Sequence, residues 1–197
     1  MPPERLGRWL ERWAEQHDVS RTVYSPGRVL VDEALECEPV IGGMAPGEFD
    51  GLEVGPLLEH VRRERVVGVL LVRLGGHASG VFEGRRLSDS KVGSRLVHGR
   101  HRKGGSSARR FERRRAGQAR LALEQAADTA ARVLLPARLD ALVTGGDRRA
   151  VGEVLQDPRL APLCPLVVER VLDVPDPRLD VLRATPDQFL ATRLTVR

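Results

Sequence analysis

Residues 65–84 read RVVGVLLVRLGGHASGVFEG and predict two neighbouring strands of a sheet. Residues 66–74 are mostly Val and Leu, which is typical of a central strand covered on both faces. Gly75 and Gly76 favour a turn, and residues 78–82 return as the second strand. We interpret His77 as an exposed turn residue. A nucleotide-binding loop is disfavoured here, because that kind of loop joins a strand to a helix.

The segments that follow alternate between helix and strand. A third strand is predicted at residues 92–97, and a long helix at residues 107–135. The expected buried stripe of this helix comprises Phe111, Leu121, Leu123, Ala126, Ala127, Ala130 and Leu134. Further along we expect a strand at 139–144, a helix at 148–156 capped by Asp147, a connection at 158–165 and a strand at 166–174. This order predicts an α/β fold with helices packed on a mixed sheet.

The N-terminal residues predict a smaller arrangement. Residues 5–17 form a helix whose apolar face holds Leu6, Trp9, Leu10 and Trp13, a pattern that favours docking over base stacking. Residues 22–40 should be extended with a turn at Pro26-Gly27, and residues 54–65 should form a short helix. The loop at 42–51 is the best candidate for an internal boundary, and Thr185-Pro186 for a helix start. We expect residues 1–60 to be an extension packed on a main domain of residues 61–197.

Most of the basic character of the chain lies in residues 98–115, HGRHRKGGSSARRFERRR. Eight Lys or Arg and one Glu give this stretch a net charge of +7, whereas the whole chain carries +5. The remaining residues are therefore slightly acidic, and a cluster of this kind indicates a polyanionic partner. The arginines at the start of the long helix surround it, so that end should project from the core. A solvated basic loop without chemistry is the simplest alternative.

Several classes of protein are disfavoured by what the sequence lacks. Cys37 and Cys164 are isolated and form no CxxC pair, so a zinc ribbon is not predicted and both thiols fit a reducing compartment. The first residues lack the apolar core of a signal peptide, and no apolar run approaches the ~20 residues of a membrane span. We expect a cytoplasmic, monomeric protein with no membrane partner.

Gly104 and Gly105 lie at the centre of the basic stretch, directly before the long helix. Two glycines allow the backbone to approach another molecule closely. The free N–H groups at a helix N-terminus bind anions and developing negative charge, and neighbouring arginines bind phosphates. Such a tip could stabilise an oxyanion during attack on an ester within an RNA environment.

Residues 103–115, KGGSSARRFERRR, resemble the GGQ segment in the middle domain of archaeal and eukaryotic class-1 release factors. That family reads Gly-Gly-Gln-Ser-Ala-x-Arg-Phe-x-Arg-x-Arg at the start of a long helix. The positions in step are Gly104, Gly105, Ser107, Ala108, Arg110, Phe111, Arg113 and Arg115. Residues 67–84 are similar to the family's preceding hairpin, and residues 142–147 to its strand with a glycine turn, so the resemblance covers about residues 65–175. The most similar subgroup is the VLRF-type peptidyl-tRNA hydrolases of the actinobacterial type.

The resemblance implies a ribonuclease-H-like fold and a site in the peptidyl transferase centre of the large ribosomal subunit. The implied activity is hydrolysis of the ester between nascent chain and tRNA during ribosome rescue, without a cofactor or a metal. The implied catalytic residues are Gly104, Gly105, Ser106 and Ser107. The implied contacts with ribosomal RNA and tRNA are Arg100, His101, Arg102, Lys103, Arg109, Arg110, Arg113, Arg114 and Arg115. Codon-reading and factor-binding domains are not expected in a chain of this length.

Ser106 stands where the family has Gln. The backbone N–H is kept, but the reach of an amide side chain is lost. In one hypothesis the backbone carries most of the chemistry, and Ser106 or Ser107 positions water. In the other, hydrolysis is lost and the chain only binds ribosomes. Gln118 as a substitute lies too far along the helix, on the order of 15 Å away.

The residues disfavour two other classes of enzyme. A nuclease would need clustered carboxylates around Mg²⁺, and Asp89, Asp140 and Asp147 form no recognisable set. A Ser-His-Asp hydrolase built on Ser106, Ser107 and His101 lacks a nucleophile elbow.

Overall fold

The computed structural model describes residues 1–73, 75–94 and 106–197, and for residues 106–115 it describes the backbone alone. Within that part of the chain there are two compact units, each with an apolar core of its own. Residues 1–64 and 185–197 form the first unit, and residues 65–184 form the second. The sequence predicts a boundary at residue 60 and assigns residues 185–197 to the second domain, whereas the structure joins them to the first unit.

The first unit is built on a five-stranded antiparallel sheet. Its strands are β1 (Arg21–Ser25), β2 (Arg28–Val31), β3 (Leu35–Pro39), β4 (Gly47–Asp50) and β10 (Thr192–Val196), in the order β10-β3-β2-β1-β4. Its helices are α1 (Pro3–Ala14), α2 (Gly55–Arg62) and the short α6 (Pro186–Phe189). The turn at Pro26-Gly27 joins β1 to β2 as predicted. Strand β10 pairs with β3 over its whole length, which is why the C-terminal residues belong here.

Helix α1 confirms the amphipathic pattern of the N-terminus. Leu6 and Leu10 are fully buried, Trp13 is buried, and Trp9 is half-buried. Pro3 occupies the first turn, where its missing N–H costs no hydrogen bond. The core that α1 helps to form comprises Leu6, Leu10, Trp13, Tyr24, Val29, Val31, Leu35, Cys37, Met44, Leu57 and Val61. The helix is therefore held by burial of its apolar face.

The second unit contains the predicted mixed sheet. Its strands are β5 (Val66–Arg73), β6 (Gly76–Glu83), β7 (Arg86–Ser94), β8 (Ala141–Gly146) and β9 (Val167–Leu172), in the order β7-β6-β5-β8-β9. Strands β5, β6 and β7 are antiparallel neighbours, whereas β8 is parallel to β5 and β9 is parallel to β8. Three antiparallel strands followed by two parallel ones is the ribonuclease-H-like order. The fold implied by the resemblance is confirmed.

Helices and a 3-10 segment connect and cover this sheet. They are α3 (Ser106–Leu134), α4 (Arg148–Leu155), the 3-10 segment (Pro158–Leu166) and α5 (Leu179–Ala184). Near its C-terminal end, α3 buries Ala126, Ala127, Ala130, Val133 and Leu134. Alanine at three of these positions allows the helix to lie close to the strands. The predicted stripe is wrong at Leu121, which is 44% exposed. The side chain of Phe111 lies outside the described residues.

The start of α4 shows the predicted cap. The Asp147 carboxylate accepts hydrogen bonds from the backbone N–H groups of Arg149 (2.9 Å) and Ala150 (3.1 Å). A side chain in this position satisfies donors that the first helical turn leaves without partners. Asp147 is therefore a structural cap.

Two local predictions from the sequence are corrected by strand pairing. The loop expected at residues 42–51 contains β4, which pairs with β1, so the chain does not divide there. The third strand of the second unit begins at Arg86 instead of residue 92. Both strands lie at sheet edges and are largely polar and exposed. Their apolar periodicity is weak, and pairing with a neighbouring strand determines them.

Candidate functional site

The candidate site lies between the end of β7 and the first turns of α3. The predicted residues Arg100, His101, Arg102, Lys103, Gly104 and Gly105 lie outside the described residues. The predicted residues Ser106, Ser107, Arg109, Arg110, Arg113, Arg114 and Arg115 all belong to the first ten positions of α3, where the backbone alone is described. The predicted site residues therefore form one continuous stretch of sequence that runs into α3.

The described part of helix α3 begins at Ser106, and Gly104 and Gly105 directly precede it in the sequence. The first N–H groups of an α-helix have no carbonyl partner within the helix, and the aligned peptide dipoles add positive potential at this end. Arginines at five of the next nine positions add full positive charges to the same end. Such an arrangement suits an anion or an oxygen that gains negative charge.

Side chains in the middle of α3 are not buried. With 29 residues, the helix is about 43 Å long. From Ala116 to Gln125 no side chain is buried, and Ala126 is the first buried residue among the α3 side chains that the structure describes. Ser106 lies twenty residues before Ala126, about 30 Å along the helix axis. The predicted projection of the basic start concerns side chains outside the described residues, and it stays a prediction.

The base of α3 is fixed to the sheet through His77, whose predicted exposure is wrong. His77 lies on β6 and is 6% exposed, and its Nε2 is 3.0 Å from the Thr129 hydroxyl of α3. A Cβ at Gly93 on the neighbouring strand would collide with the imidazole ring. The sequence placed His77 in a turn because two glycines precede it, whereas β6 begins at Gly76.

We expect His77 to make the stability of the second unit depend on pH. Burial, followed by the charge of Lys91, lowers the pKa of His77 below its ordinary value. A histidine whose pKa is lowered on folding stabilises the fold above the unfolded pKa of about 6.5, and that contribution is lost as pH falls towards the folded pKa. The wild-type chain should therefore lose more stability than His77→Gln between about pH 7.5 and about pH 5.

Urea denaturation followed by far-ultraviolet circular dichroism measures this difference. Both tryptophans lie in the first unit, so their fluorescence provides an internal control. An identical pH dependence in wild type and His77→Gln would show that the imidazole is not held neutral by its surroundings.

The fold does not bring together the three carboxylates that a nuclease site would need. Asp140 accepts a hydrogen bond from the Val66 N–H (2.7 Å) at the start of β8, whereas Asp147 caps α4 beyond the end of that strand. A strand of this length separates them by about 20 Å. Asp89 is on β7 opposite Val81. Among the residues that the structure describes, no group of three or more His, Cys, Asp or Glu could hold a metal.

Gln118 is also separated from the predicted tip. Since α3 starts at Ser106, Gln118 is twelve residues further along, about 18 Å along the axis. An amide at that distance cannot replace the side chain that the release-factor pattern has after its two glycines.

Of the described helices, none combines the length and the apolar character needed to cross a membrane.

Comparison with known families shows to which family the chain belongs. The family model of the Actinobacteria/chloroflexi VLRF1 release factor, acVLRF1, matches residues 65–195. The chain belongs to this family. The acVLRF1 match includes the basic stretch, α3 and the whole second unit, whereas residues 1–64 precede it.

Three solved structures show some likeness to the chain. An archaeal translation termination factor, aRF1, aligns with a TM-score of 0.48 and 14% identity, covering 92% of this chain and 68% of that one. An archaeal protein aligns with a TM-score of 0.40 and 16% identity, covering 83% and 50%. Pelota from Archaeoglobus fulgidus aligns with a TM-score of 0.33 and 13% identity, covering 87% and 52%. The chain thus spans about half the length of the last two. No curated protein matches it.

Proposed function

We propose that this acVLRF1 chain is a peptidyl-tRNA hydrolase that frees nascent chains on large ribosomal subunits during ribosome rescue. The observation that carries the proposal is that Gly104 and Gly105 directly precede Ser106, the first described residue of the long helix α3, in a chain of a release-factor family. The proposed partners are ribosomal RNA and peptidyl-tRNA. The protein is proposed to act as a monomer in the cytoplasm and needs no cofactor for this reaction.

The reaction replaces an ester bond by the attack of water. The water oxygen adds to the ester carbonyl carbon, the bond between that carbon and the tRNA ribose oxygen breaks, and a proton passes to the departing oxygen. The peptide leaves as a carboxylate. Negative charge develops first on the carbonyl oxygen and then on the departing ribose oxygen, and a preorganised N–H donor stabilises such charge. We assign this donor to the backbone of Ser106, with the Ser106 or Ser107 hydroxyl positioning the water.

The surrounding arginines supply affinity instead of chemistry. The basic stretch carries +7 in 18 residues, and each phosphate contact releases counterions, so binding to ribosomal particles should weaken steeply with salt. The proposed contacts are Arg100, His101, Arg102, Lys103, Arg109, Arg110, Arg113, Arg114 and Arg115. The 20 helical residues from Ser106 to Gln125, of which 116–125 have no buried side chain, support entry of the glycine-containing end into a narrow RNA-lined site.

Peptide release from purified large subunits that carry peptidyl-tRNA tests the proposal. We expect wild type to release the peptide and Gly105→Ala to release it at least about tenfold more slowly, because a displacement of under 1 Å in the reacting groups lowers rates strongly. Gly117→Ala is the matched control. It makes the same Gly→Ala change within α3, at an exposed position where a Cβ meets nothing within 4 Å.

The alternative function is ribosome binding without hydrolysis, and the serine at position 106 favours it. Release-factor-like chains have a glutamine there, whose longer amide side chain Ser106 does not reproduce. If wild type binds large subunits in a salt-sensitive way and releases no peptide, this alternative replaces the hydrolase. Release that is equally fast with Gly105→Ala would instead remove the glycine tip from the mechanism.

A further inference from the structure

The apolar contacts that bury side chains of α3 lie at its C-terminal end. The buried apolar residues described on this helix are Ala126, Ala127, Ala130, Val133 and Leu134. Three of these five are alanines, whose short side chains let a helix lie close to a sheet but interlock little with it. Polar contacts beside the alanines can therefore determine the angle at which α3 crosses the sheet.

Two neighbouring residues of α3 make polar contacts with two different elements of the second unit. The Thr129 hydroxyl lies 3.0 Å from His77 Nε2 on β6. The Asp128 carboxylate lies 2.8 Å from Arg159 Nη1 on the 3-10 segment. Asp128 and Thr129 are about 100° apart around the helix axis. Because the two contacts reach α3 from different directions, together they oppose both its rotation and its tilt.

Arg159 is itself held in place by Asp157. Its Nε and Nη2 groups donate to the two carboxylate oxygens of Asp157, over 3.0 and 2.7 Å. The same carboxylate accepts the backbone N–H of Arg159 (3.0 Å) and so caps the 3-10 segment. These hydrogen bonds lower the pKa of Asp157 to about 2, so the carboxylate is charged at neutral pH. The fork fixes the plane of the guanidinium group and leaves Nη1 for Asp128.

The Arg159–Asp128 pair is exposed, with 52% and 64% of the two side chains accessible to water. An exposed ion pair contributes little to stability, because water screens both charges. In the pair Arg149–Glu153 both partners lie on α4, so that pair stabilises at most its own helix. Arg159–Asp128 instead joins two elements, and its effect is expected on the direction of α3 more than on the stability of the unit.

A small change of angle at the base of α3 becomes a large displacement at its start. Ser106 is 22 residues before Asp128, about 33 Å along the helix axis. A rotation of about 2° around Asp128 would therefore move Ser106 by about 1 Å. A misplacement of this size, caused far from the reacting atoms, can slow a reaction on the order of 100-fold.

We propose that Arg159 is a positioning residue that fixes the direction of α3 through Asp128 and thereby places the start of this helix for peptide release. The effect on release rests on the proposed hydrolase function, whereas the effect on the direction of α3 does not. Arg159 contacts no reacting group. It lies more than forty residues after the basic stretch, and only the fold brings it to the base of α3.

Pulsed electron paramagnetic resonance measures the direction of α3 relative to the sheet. Nitroxide labels are attached to the full chain at Ala116→Cys on α3 and Glu169→Cys on β9, two exposed positions of the second unit. The parent protein also carries Cys164→Ser, because Cys164 is exposed and would be labelled, whereas Cys37 is buried. The distance between the two labels then reports the angle of α3.

We expect Arg159→Ala to shift or broaden the label-to-label distance by more than about 1 Å. The matched control is Arg149→Ala, which breaks an exposed pair within α4 and should leave the distance unchanged. Both variants should keep the midpoint of urea denaturation within about 0.3 M of the parent. An unchanged distance in Arg159→Ala, or an equal change in Arg149→Ala, would overturn the proposal.

The variant Asp128→Ala tests whether Arg159 acts through this pair. It should change the label-to-label distance as Arg159→Ala does, and the double variant should add nothing further, because both remove one interaction. Arg159→Lys keeps the charge but has no fork, and it should restore the parent distance only in part. Additive effects of the two alanine substitutions would show that Arg159 acts on α3 by another route.

Peptide release from large subunits tests the consequence for the reaction. Arg159→Ala and Asp128→Ala should each lower the maximal rate about three- to tenfold. The protein concentration for half-maximal release and its salt dependence should stay as in wild type, because the basic stretch is unchanged. A changed direction of α3 with unchanged release would overturn the positioning role. If wild type releases no peptide, the hydrolase function fails, whereas the distance measurements still decide whether Arg159 fixes α3.

Discussion

A Ser106→Pro variant is expected to bind large ribosomal subunits as wild type does but to release peptide about 100- to 1,000-fold more slowly, the usual cost of losing one backbone donor to a developing oxyanion. Ser106 is the first described residue of α3, and proline is tolerated in the first turn of a helix because the N–H groups there have no partner within the helix. The substitution thus removes the proposed donor and leaves the helix in place. Single-turnover release and subunit co-sedimentation measure the two effects separately.

The matched variant is Ser106→Ala, which removes the hydroxyl but keeps the N–H. We expect it to retain release within about tenfold of wild type, the smaller contribution expected of a group that only positions water. The opposite ranking, with Ser106→Ala inactive and Ser106→Pro active, would transfer the main role from the backbone to the hydroxyl. Circular dichroism of both variants checks that the 29-residue helix is retained.

Gly146→Ala is expected to lower the free energy of unfolding of the second unit by about 3 kcal/mol or more, which places it among the most damaging single substitutions. Gly146 ends β8 with φ of +94°, a conformation that a residue with a Cβ rarely adopts. The added Cβ would collide with the carbonyl oxygen of Val72 on β5. That oxygen accepts a hydrogen bond from the Asp147 N–H (2.8 Å), so the collision also disturbs the start of α4.

The variant Gly84→Ala separates the cost of a positive φ from the cost of the Cβ collision. Gly84 also has positive φ, +59°, but a Cβ there meets nothing within 4 Å. Only the backbone cost remains, about 1 to 2 kcal/mol. Urea denaturation followed by circular dichroism should therefore give a clearly lower free energy of unfolding for Gly146→Ala than for Gly84→Ala. Equal destabilisation would mean that β5 yields to the new methyl group.

The sequence predicted the second unit well wherever an element is buried. The apolar run of residues 66–74 and its glycine turn correspond to β5 and the start of β6, and the alanine-rich stripe of α3 is buried at Ala126, Ala127, Ala130 and Leu134. These elements bury apolar side chains, and burial leaves a periodic pattern in the sequence. The family match over residues 65–195 confirms the assignment that the GGQ-like segment suggested.

The sequence was least informative where pairing or three-dimensional proximity decides the outcome. Strand β4 and the first half of β7 are polar edge segments, and their neighbours β1 and β6 hold them in a sheet. His77 follows two glycines and resembles a turn residue, yet the sheet and α3 enclose it. No local pattern shows that a helix more than fifty residues later will cover a strand.

For the candidate site, too, some features follow from the sequence and others only from the structure. The sequence by itself determined the order Gly-Gly-Ser-Ser, the surrounding positive charge and the family, because motif spacing and charge are properties of the chain. Only the tertiary structure decided that Asp140 and Asp147 lie at opposite ends of β8, and that no side chain of α3 from Ala116 to Gln125 is buried. It alone decided that Trp13 of α1 is enclosed in the core of the first unit, whereas Trp9 is half-buried. Burial and distance between remote residues depend on how the elements pack, and packing is settled by the whole fold.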